Sequence, residues 1–297
     1  MALPPLYKYL SVRGAKLTLG NRTFKHAKPS DFNDTEDLTI QSIFPEETEA
    51  ALTRLSCRIT DVILEHINDI PTCKSPMKEK VELLQQVFRT NPEVANVIRV
   101  VMAEEEVGSI YDVEYMRARA EMLVNEINKF MQGYRVLCVT THKDSEKMWS
   151  DYAENHKGIA LRIEPSVAKD SKFQLFRPVI YREKRLPLYE DTLELIDSLF
   201  VNQQTHLRAM VEKIVYAKTL KWEHESEYRL AIPMRQNEEP WNTRPYHPEE
   251  ITEMYLGLAM QEADKDDIVR MAQAVNLNIA IFTAKRGSEG DLEFDRV

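Results

Sequence analysis

The side chains best placed for chemistry lie in the segment KTLKWEHESEYRLAIP, which spans residues 218–233. We expect a strand here, which would place Glu225, Glu227 and Arg229 on one side, because alternate side chains of a strand share a face. Two carboxylates in one cleft raise each other's pKa, which can separate an acid from a base, and a guanidinium can hold one of them ionised. We therefore predict that these three residues are catalytic. The competing interpretation is a solvent-exposed charged face.

Aromatic and polar side chains in two other segments are suited to hold a flat ligand. The segment DSEKMWSDYAENHKG is predicted to be a helix that carries Trp149, Ser150 and Tyr152. The strand LYKYL places Tyr9 on one face and Lys8 on the other. Trp and Tyr rings can stack on a flat ring. The competing interpretation is that these residues only pack in a core or along a strand edge.

These candidates require a scaffold of helices and strands, and the sequence predicts a single α+β domain over residues 1–297. Its sheet is expected to be mixed or split, with flanking helices. Residues 45–131 have the apolar periodicity of helices and are predicted to form a helical insertion. Residues 287–297, GSEGDLEFDRV, are predicted to be a mobile acidic tail.

Some local predictions concern segments that border the candidates. AKLTL, residues 15–19, is predicted to be extended. Asp144 or Ser145 is predicted to cap the helix that contains MWS, and Gly158 is predicted to end it in the left-handed conformation. KPSDFNDTED, residues 28–37, is predicted to be a structural turn, because its acidic residues lack the spacing of a calcium loop.

Composition and motifs exclude several classes of function. The 39 Lys+Arg against 48 Asp+Glu give a formal net charge of −9, so a nucleic-acid partner is not expected except at a local basic groove. No GxGxxG or GxxxxGK[ST] motif is present. The 3 cysteines form no CxxC and the 7 histidines no HExxH, so no metal is expected. Without a secretory signal or a long apolar stretch, we expect a cytoplasmic protein with no membrane contact.

Several segments together resemble DUF2971, a bacterial family of unknown function. They are LYKYL, PSDFNDTED, VLCVTTHKDSEKMWSDYAENHKGIALRIEP, VIYR, KTLKWEHESEYRLAI and HPEEITEMYLG. The resemblance covers nearly the whole chain outside residues 45–131. One triplet departs from the family pattern, because the family tends to have Lys-Tyr-Arg where this chain has Lys8, Tyr9 and Leu10. The role of that arginine is therefore lost or passes to Arg13.

The order of these features is similar to the layout of the ADP-ribosyltransferases. That similarity implies that NAD, as substrate, binds in a cleft of a split sheet, with Trp149 and Tyr152 against the nicotinamide and a late glutamate, Glu227, at the ribose. It further implies that Lys8 or Arg13 meets the pyrophosphate. The full set of residues expected to bind NAD is Lys8, Tyr9, Arg13, Trp149, Ser150 and Tyr152.

These observations lead to one main functional hypothesis and two alternatives. The main one is an NAD-consuming ADP-ribosyltransferase or NAD glycohydrolase that acts as a cytoplasmic bacterial effector or defence protein on a small nucleotide ligand. The first alternative is a non-enzymatic ligand-binding or assembly module, and the weaker one is a metal-dependent nuclease using Asp31, Asp34, Glu225 and Glu227. The helical block at 45–131 could be a lid, an oligomer interface or a partner-binding arm.

Overall fold

The computed structural model describes residues 3–234 and 242–297. In this part of the chain, the strands are β1 (Leu6–Leu10), β2 (Thr23–His26), β3 (Tyr134–Thr140), β4 (Ile159–Ile163), β5 (Arg177–Pro178), β6 (Ile180–Arg182), β7 (Ala217–Thr219), β8 (Glu227–Pro233), β9 (Asn242–Pro245), β10 (Ile251–Leu256), β11 (Ala280–Arg286) and β12 (Leu292–Arg296). The helices are α1 (Val12–Asn21), α2 (Thr48–Glu65), α3 (Met77–Thr90), α4 (Pro92–Glu104), α5 (Val107–Ile110), α6 (Val113–Met131), α7 (Glu146–Tyr152), α8 (Glu194–Asp197), α9 (Gln203–Val215) and α10 (Glu262–Val275). None of these described helices combines the length and apolarity needed to cross a membrane.

The chain divides into two compact units, each described here by itself. The sheet unit comprises residues 1–37, 132–183 and 218–297, and the helical unit comprises residues 38–131 and 184–217. The predicted α+β class with a mixed sheet and flanking helices is confirmed. The predicted insertion at 45–131 differs from the structure in one respect, because the helical unit also includes residues 184–217.

The sheet unit is built on a mixed sheet of eight strands in the order β12-β11-β10-β4-β1-β3-β8-β5. All neighbours are antiparallel except β10 and β11, which are parallel. Alternation along the strands separates two buried clusters. One contains Leu6, Leu137 and Leu230 with the inner faces of α1 and α10. The other contains Tyr7, Tyr9, Trp149 and Tyr255, and its face of the sheet also carries Glu227 and Arg229.

The prediction that AKLTL is extended is wrong, because the segment lies in α1. Ser11 begins this helix, and its hydroxyl accepts a hydrogen bond from the Gly14 backbone N–H at 3.1 Å. Ala15, Thr18 and Leu19 are buried on one helical stripe, whereas Leu17 is 54% exposed. The apparent alternation of apolar residues is therefore coincidental, and the period that matters is helical.

The connection from α7 to β4 contains three consecutive residues in the left-handed region. Glu154, Asn155 and His156 have φ values of 55°, 53° and 64°. Gly158, predicted to adopt that conformation, does not, and is needed for another reason: a Cβ there would overlap the Leu10 carbonyl oxygen. A Cβ on Gly257 would likewise overlap the His156 carbonyl oxygen. This left-handed loop, residues 153–158, therefore packs backbone against backbone.

The helical unit has its own apolar core. Ile63 of α2 and Phe88 of α3 are buried together with Ala95 of α4. Ile196 and Leu199, from the later segment 184–217, complete this core. That contribution explains why the unit is larger than the predicted insertion, since the later segment buries apolar side chains among the helices of the earlier one.

The expectation of a mobile tail over residues 287–297 is also corrected. Residues Leu292–Arg296 form β12, which pairs antiparallel with β11 at the edge of the large sheet. Leu292 is buried, while Glu293 and Asp295 point to solvent. An acidic composition is compatible with an edge strand, because charged side chains protect an exposed sheet edge from pairing with other chains.

Candidate functional site

The sheet unit contains a cavity of about 190 Å³ at the β1, β3 and β8 region of the sheet. Of the residues predicted to be catalytic or to bind NAD, its lining includes Lys8, Tyr9, Tyr152, Glu225 and Glu227. Residues from the 31–37 turn also line it. The sequence therefore identified five side chains that the fold brings to one cavity from segments far apart in the chain.

Arg229 lies beneath this cavity and binds two carboxylates at once. Its side chain is 0% exposed. Its Nε and Nη2 donate to the two carboxylate oxygens of Glu227 at 2.8 and 3.0 Å. Its Nη1 and Nη2 donate to the two oxygens of Asp37 at 2.9 and 2.5 Å. Such paired contacts fix the orientation of both carboxylates.

Lys218 is the second buried cation of this group. Its Nζ lies 2.5 Å from Glu225 Oε2, 3.2 Å from Glu227 Oε2 and 3.7 Å from Asp37 Oδ2. Burial lowers the pKa of Lys218, but the carboxylates of Glu227, Glu225 and Asp37 outweigh this effect and raise it above its usual range. Lys218 is therefore charged. We call Asp37, Lys218, Glu225, Glu227 and Arg229 the buried ion cluster.

Glu225 reaches the cluster from a different element than predicted. It ends a 3-10 helix, Leu220–Glu225, and is not part of β8. Ser226, with φ of 41°, turns the chain in the left-handed region before β8 begins at Glu227. The Ser226 hydroxyl is 2.9 Å from His142 Nε2. The two carboxylates therefore meet through a strained turn, not through simple strand alternation.

Tyr152 connects α7 to the cluster. Its hydroxyl donates to Glu225 Oε1 at 2.5 Å. Burial and, next, the Glu225 charge raise the pKa of Tyr152 above its usual range. The phenol therefore keeps its proton and acts as a donor, which leaves Glu225 with one oxygen bound to Tyr152 and the other bound to Lys218.

The carboxylates of the cluster differ in their acidity. Burial raises the pKa of Glu227, but Arg229 and Lys218 overcome this effect and lower it to about 2. Burial raises the pKa of Asp37, and its pairing with Arg229 offsets this only in part. Three carboxylates thus face two cations, so the cluster carries one excess negative charge when every member is ionised. Burial is the main cause of the raised pKa of Asp37, and the Glu227 charge adds to it.

Trp149 does not form a wall of the cavity, contrary to the prediction. It is 0% exposed and packs edge-on against Tyr9, with ring centroids 5.1 Å apart. Its indole N–H donates to the Lys143 carbonyl oxygen at 2.9 Å. The tryptophan on the cavity wall is instead Trp222, whose ring lies 4.8 Å from the Lys218 ammonium. The structural interpretation of Trp149, as a packed core residue, is the one the fold supports.

The other residues expected to bind NAD are divided between the cavity and its surroundings. Lys8 lines the cavity, and its Nζ donates to the Cys138 carbonyl oxygen at 2.9 Å. Tyr9 also lines it, with its hydroxyl bound to the His142 carbonyl oxygen at 3.0 Å. Two of the predicted residues, Arg13 and Ser150, do not belong to the cavity lining. Arg13 is exposed on α1, and the Ser150 hydroxyl donates to Asn155 Oδ1 at 3.1 Å.

Sequence reasoning missed Asp37, and it assigned no role to Lys218 although that residue lies in the segment of the predicted catalytic residues. Asp37 lies in the segment assigned to a structural turn, and 192 residues separate it from Arg229. Nothing in the spacing of the sequence pairs them. A fully buried arginine that binds one glutamate would still leave donors unsatisfied, so a second buried acceptor could have been anticipated, although not its position.

Nothing in the geometry supports the nuclease alternative. Among residues 3–234 and 242–297, no group of three His, Cys, Asp or Glu side chains is arranged to hold a metal ion. Glu225 and Glu227 already bind Lys218, and Asp34 binds Lys221 at 3.3 Å. A divalent ion would have to displace these ammonium groups from the carboxylates.

One comparison with known proteins gives a match. Neither the curated proteins nor the solved structures include a match to this chain. Residues 148–230 match the model of DUF2971, a family described as a protein of unknown function. This segment carries Tyr152, Lys218, Glu225, Glu227 and Arg229, and the predicted resemblance to the DUF2971 family is confirmed over it.

Proposed function

We propose that the protein is an NAD-consuming enzyme, an ADP-ribosyltransferase or NAD glycohydrolase, whose cavity receives the nicotinamide end of NAD. The observation that supports this proposal is that all three carboxylates of the buried ion cluster line the aromatic-lined cavity, whereas of its two cations only Lys218 does. An excess negative charge of this kind favours a ligand that is cationic or becomes cationic during reaction.

The proposed chemistry follows from this charge. Cleavage of the bond between nicotinamide and ribose builds an oxocarbenium-like cation on the sugar. Glu227 is held ionised by Arg229 and Lys218, and Glu225 lies beside it on the same cavity wall. A fixed carboxylate stabilises such a cation more strongly than it stabilises the ground state, which is the requirement for catalysis.

The size of the cavity sets which part of the ligand it encloses. A volume of about 190 Å³ is below the ~300–1,000 Å³ typical of pockets that bury a drug-sized ligand. A single aromatic ring is the matching size, and Tyr9, Tyr152 and Trp222 supply ring surfaces for it. The pyrophosphate would lie outside this volume, and Lys8 of the lining is the candidate cation for it.

In this proposal the protein works in the cytoplasm as a bacterial effector or defence protein. The formal net charge of −9 makes a nucleic-acid acceptor for ADP-ribose a poor match, because a polyanion would be repelled by most of the surface. Water or a protein side chain is the acceptor we expect.

The test is to incubate the purified protein with NAD and measure nicotinamide release by mass spectrometry. We expect release by the wild type and a loss on the order of 10²-fold in Glu227→Gln, the usual effect of removing a positioned acid–base or charged group. Glu212→Gln, on an α9 residue outside the cavity lining, is the matched control and should keep full activity. Near-UV circular dichroism checks that each variant is folded. Equal rates for Glu227→Gln and wild type would remove Glu227 from the mechanism.

A non-enzymatic ligand-binding module is the second candidate, and one observation favours it. Each carboxylate of the buried ion cluster already has a cationic partner, which is also what a purely structural tie requires. Under that hypothesis NAD or another nucleotide raises the melting temperature of the protein, but no nicotinamide is released. A folded wild type that neither releases nicotinamide nor shows a thermal shift with NAD would contradict the NAD proposal in both forms.

A further inference from the structure

A second group of aromatic side chains lies at the β12 side of the large sheet. Tyr255 of β10, Phe282 of β11 and Phe294 of β12 line a cavity of about 410 Å³ together with Lys143, Glu293 and Asp295. The register pairs Tyr255 with Phe282 and Phe294 with Ala284, which places the three rings on one face of the sheet. We call these three rings the aromatic cage.

The rings are arranged as two walls at a right angle. The Tyr255 and Phe282 rings are nearly parallel, with centroids 4.9 Å apart and planes 12° apart. The Phe294 ring is almost perpendicular to Tyr255, with centroids 5.0 Å apart and planes 80° apart. A cation in this corner can lie over the face of one ring while it contacts another, which is how aromatic side chains recognise ammonium ions.

The chain's own lysine shows that the corner accepts a cation. The Lys143 ammonium lies 4.9 Å from the Phe294 ring centroid and 6.0 Å from that of Tyr255. Its carboxylate neighbour, Asp144, is 4.0 Å away, which is a long ion pair. The ammonium therefore contacts ring faces as well as a carboxylate, and the side chain is 38% exposed. Because the Lys143 carbonyl is fixed by the Trp149 indole N–H, its side chain can leave the cage without moving the backbone.

The acidic side chains of β12 lie on the other face of the strand. Glu293 is in register with Lys285 and Asp295 with Thr283, whereas Phe294 is in register with Ala284. Both carboxylates pair with the Lys285 ammonium, at 3.4 and 2.9 Å. The preference of the cage for a cation therefore rests on its rings.

We propose that the aromatic cage binds a small quaternary ammonium ion, which takes the place of the Lys143 side chain. A lysine ammonium is compact and strongly hydrated, so transferring it from water to a ring surface is costly. A quaternary ammonium offers no N–H groups to water and presents methyl groups to the rings, which makes it the better occupant. The inference is independent of the chemistry proposed for the other cavity.

The test is isothermal titration calorimetry of the full chain with choline. The control is 3,3-dimethylbutan-1-ol, an uncharged ligand of the same shape. We expect saturable binding of choline and none of the alcohol. Lys143→Gln removes the internal competitor and should tighten binding, by about tenfold if the cage is filled by Lys143 about nine-tenths of the time. Phe294→Leu should weaken binding by about 2- to 30-fold, the range of cation–π contributions.

Phe130→Leu is the matched control, because Phe130 is 60% exposed on α6 in the helical unit and should leave choline binding unchanged. Near-UV circular dichroism establishes that each variant is folded. Absence of saturable choline binding to both the wild type and folded Lys143→Gln would overturn the proposal. Equal binding of choline and the alcohol would also overturn it, since it would show an apolar pocket with no preference for charge.

Discussion

Arg229 organises the acidic side chains of the candidate site although it does not line the cavity. Its guanidinium binds Asp37 and Glu227 through both oxygens of each carboxylate, in a fully buried position. Removing one partner of a buried pair leaves an uncompensated charge, which is far more costly than the net gain from forming the pair. Arg229 therefore supports the site by fixing the orientation of Asp37 and Glu227, and its own side chain is not part of the cavity lining.

We expect Arg229→Ala to lower the free energy of unfolding by about 3–5 kcal/mol at neutral pH, as broken buried ion pairs do. Urea unfolding monitored by tryptophan fluorescence measures this. Arg270→Ala is the matched control, because Arg270 pairs with Asp267 on α10 of the sheet unit but is 78% exposed, and it should change stability little. A cost for Arg229→Ala as small as that of the control would show that the two buried carboxylates do not depend on this guanidinium.

Arg229→Ala should be less destabilised relative to the wild type at acidic pH than at neutral pH. In the wild type the pKa of Glu227 is lowered from its ordinary 4.5 to about 2, so its contribution to stability is complete above about pH 4.5 and is lost as the pH falls toward 2. Without Arg229 the pKa of Glu227 is no longer held so low. The difference in unfolding free energy between wild type and Arg229→Ala should therefore shrink below pH 4.5. A constant difference down to pH 3 would contradict the assignment.

Residue types alone predicted a substantial part of the site, but not its connections. Glu225, Glu227 and Tyr152 were identifiable because carboxylates and rings occur at short spacings in two segments. Trp149 was assigned to the cavity because its chemistry suits ring stacking, yet the same chemistry makes it a core residue. Which of the two roles a tryptophan takes depends on packing across the sheet, which sequence spacing does not encode.

At the scale of elements, the left-handed loop at residues 153–158 fixes how α7 is joined to the sheet. Trp149 and Tyr152 lie on α7, immediately before the loop, and β4 begins immediately after it. The His156 backbone N–H donates to the Trp149 carbonyl oxygen at 3.1 Å, and its carbonyl oxygen accepts from Ala259 N–H at 2.9 Å. The position of Tyr152 relative to Glu225 therefore depends on this loop.

We expect Gly158→Ala to lower the free energy of unfolding by more than about 1 kcal/mol, because its Cβ would overlap backbone atoms at Leu10 that cannot move as a flexible side chain could. Gly108→Ala, in α5, is the matched control, since no atom lies within 4 Å of its added Cβ, and it should raise stability by up to about 1 kcal/mol. Thermal unfolding compares both variants. A Gly158→Ala variant as stable as the wild type would mean that the backbone of the loop can shift to accommodate the added Cβ.

Local signals predicted the start of α7 better than its end. Ser145 was one of two predicted caps, and its hydroxyl accepts from the Met148 backbone N–H at 3.4 Å. The end was placed at Gly158 because glycine favours left-handed backbone, but α7 ends at Tyr152 and non-glycine residues take those conformations. The requirement for glycine at 158 comes from a neighbouring strand, so no local pattern reveals it.

At the scale of the whole molecule, each unit has a separate apolar core. Leu6, Leu137 and Leu230 belong to the sheet unit, whereas Ile63 and Phe88 belong to the helical unit. The helical periodicity of residues 45–131 was sufficient to predict a separate helical block. The contribution of residues 184–217 was not predictable from sequence, because their buried side chains match partners more than 90 residues earlier in the chain.

We expect the two units to unfold as separate steps, because each buries its own core. Ile63→Ala should cost the helical unit about 2–5 kcal/mol. Residues 38–131 and 184–217 contain no tryptophan, whereas Trp149 and Trp222 belong to the sheet unit, so a change of fluorescence does not originate in the helical unit. Ellipticity at 222 nm is weighted toward helices. The variant should shift the ellipticity transition to lower urea and leave the fluorescence transition in place. Equal shifts of both signals would show that the units unfold as one.

The close backbone contacts of Gly158 and Gly257 have a consequence for how this chain can diverge over evolution. A side chain at either position would collide with a carbonyl oxygen, so lineages that retain the loop have no alternative residue there. Gly257 lies beyond the segment 148–230 that matches the DUF2971 family. A pair of glycines 99 positions apart, on either side of that boundary, would be expected to persist after most surrounding residues have changed. Distant relatives of this protein should therefore be recognisable by that pair.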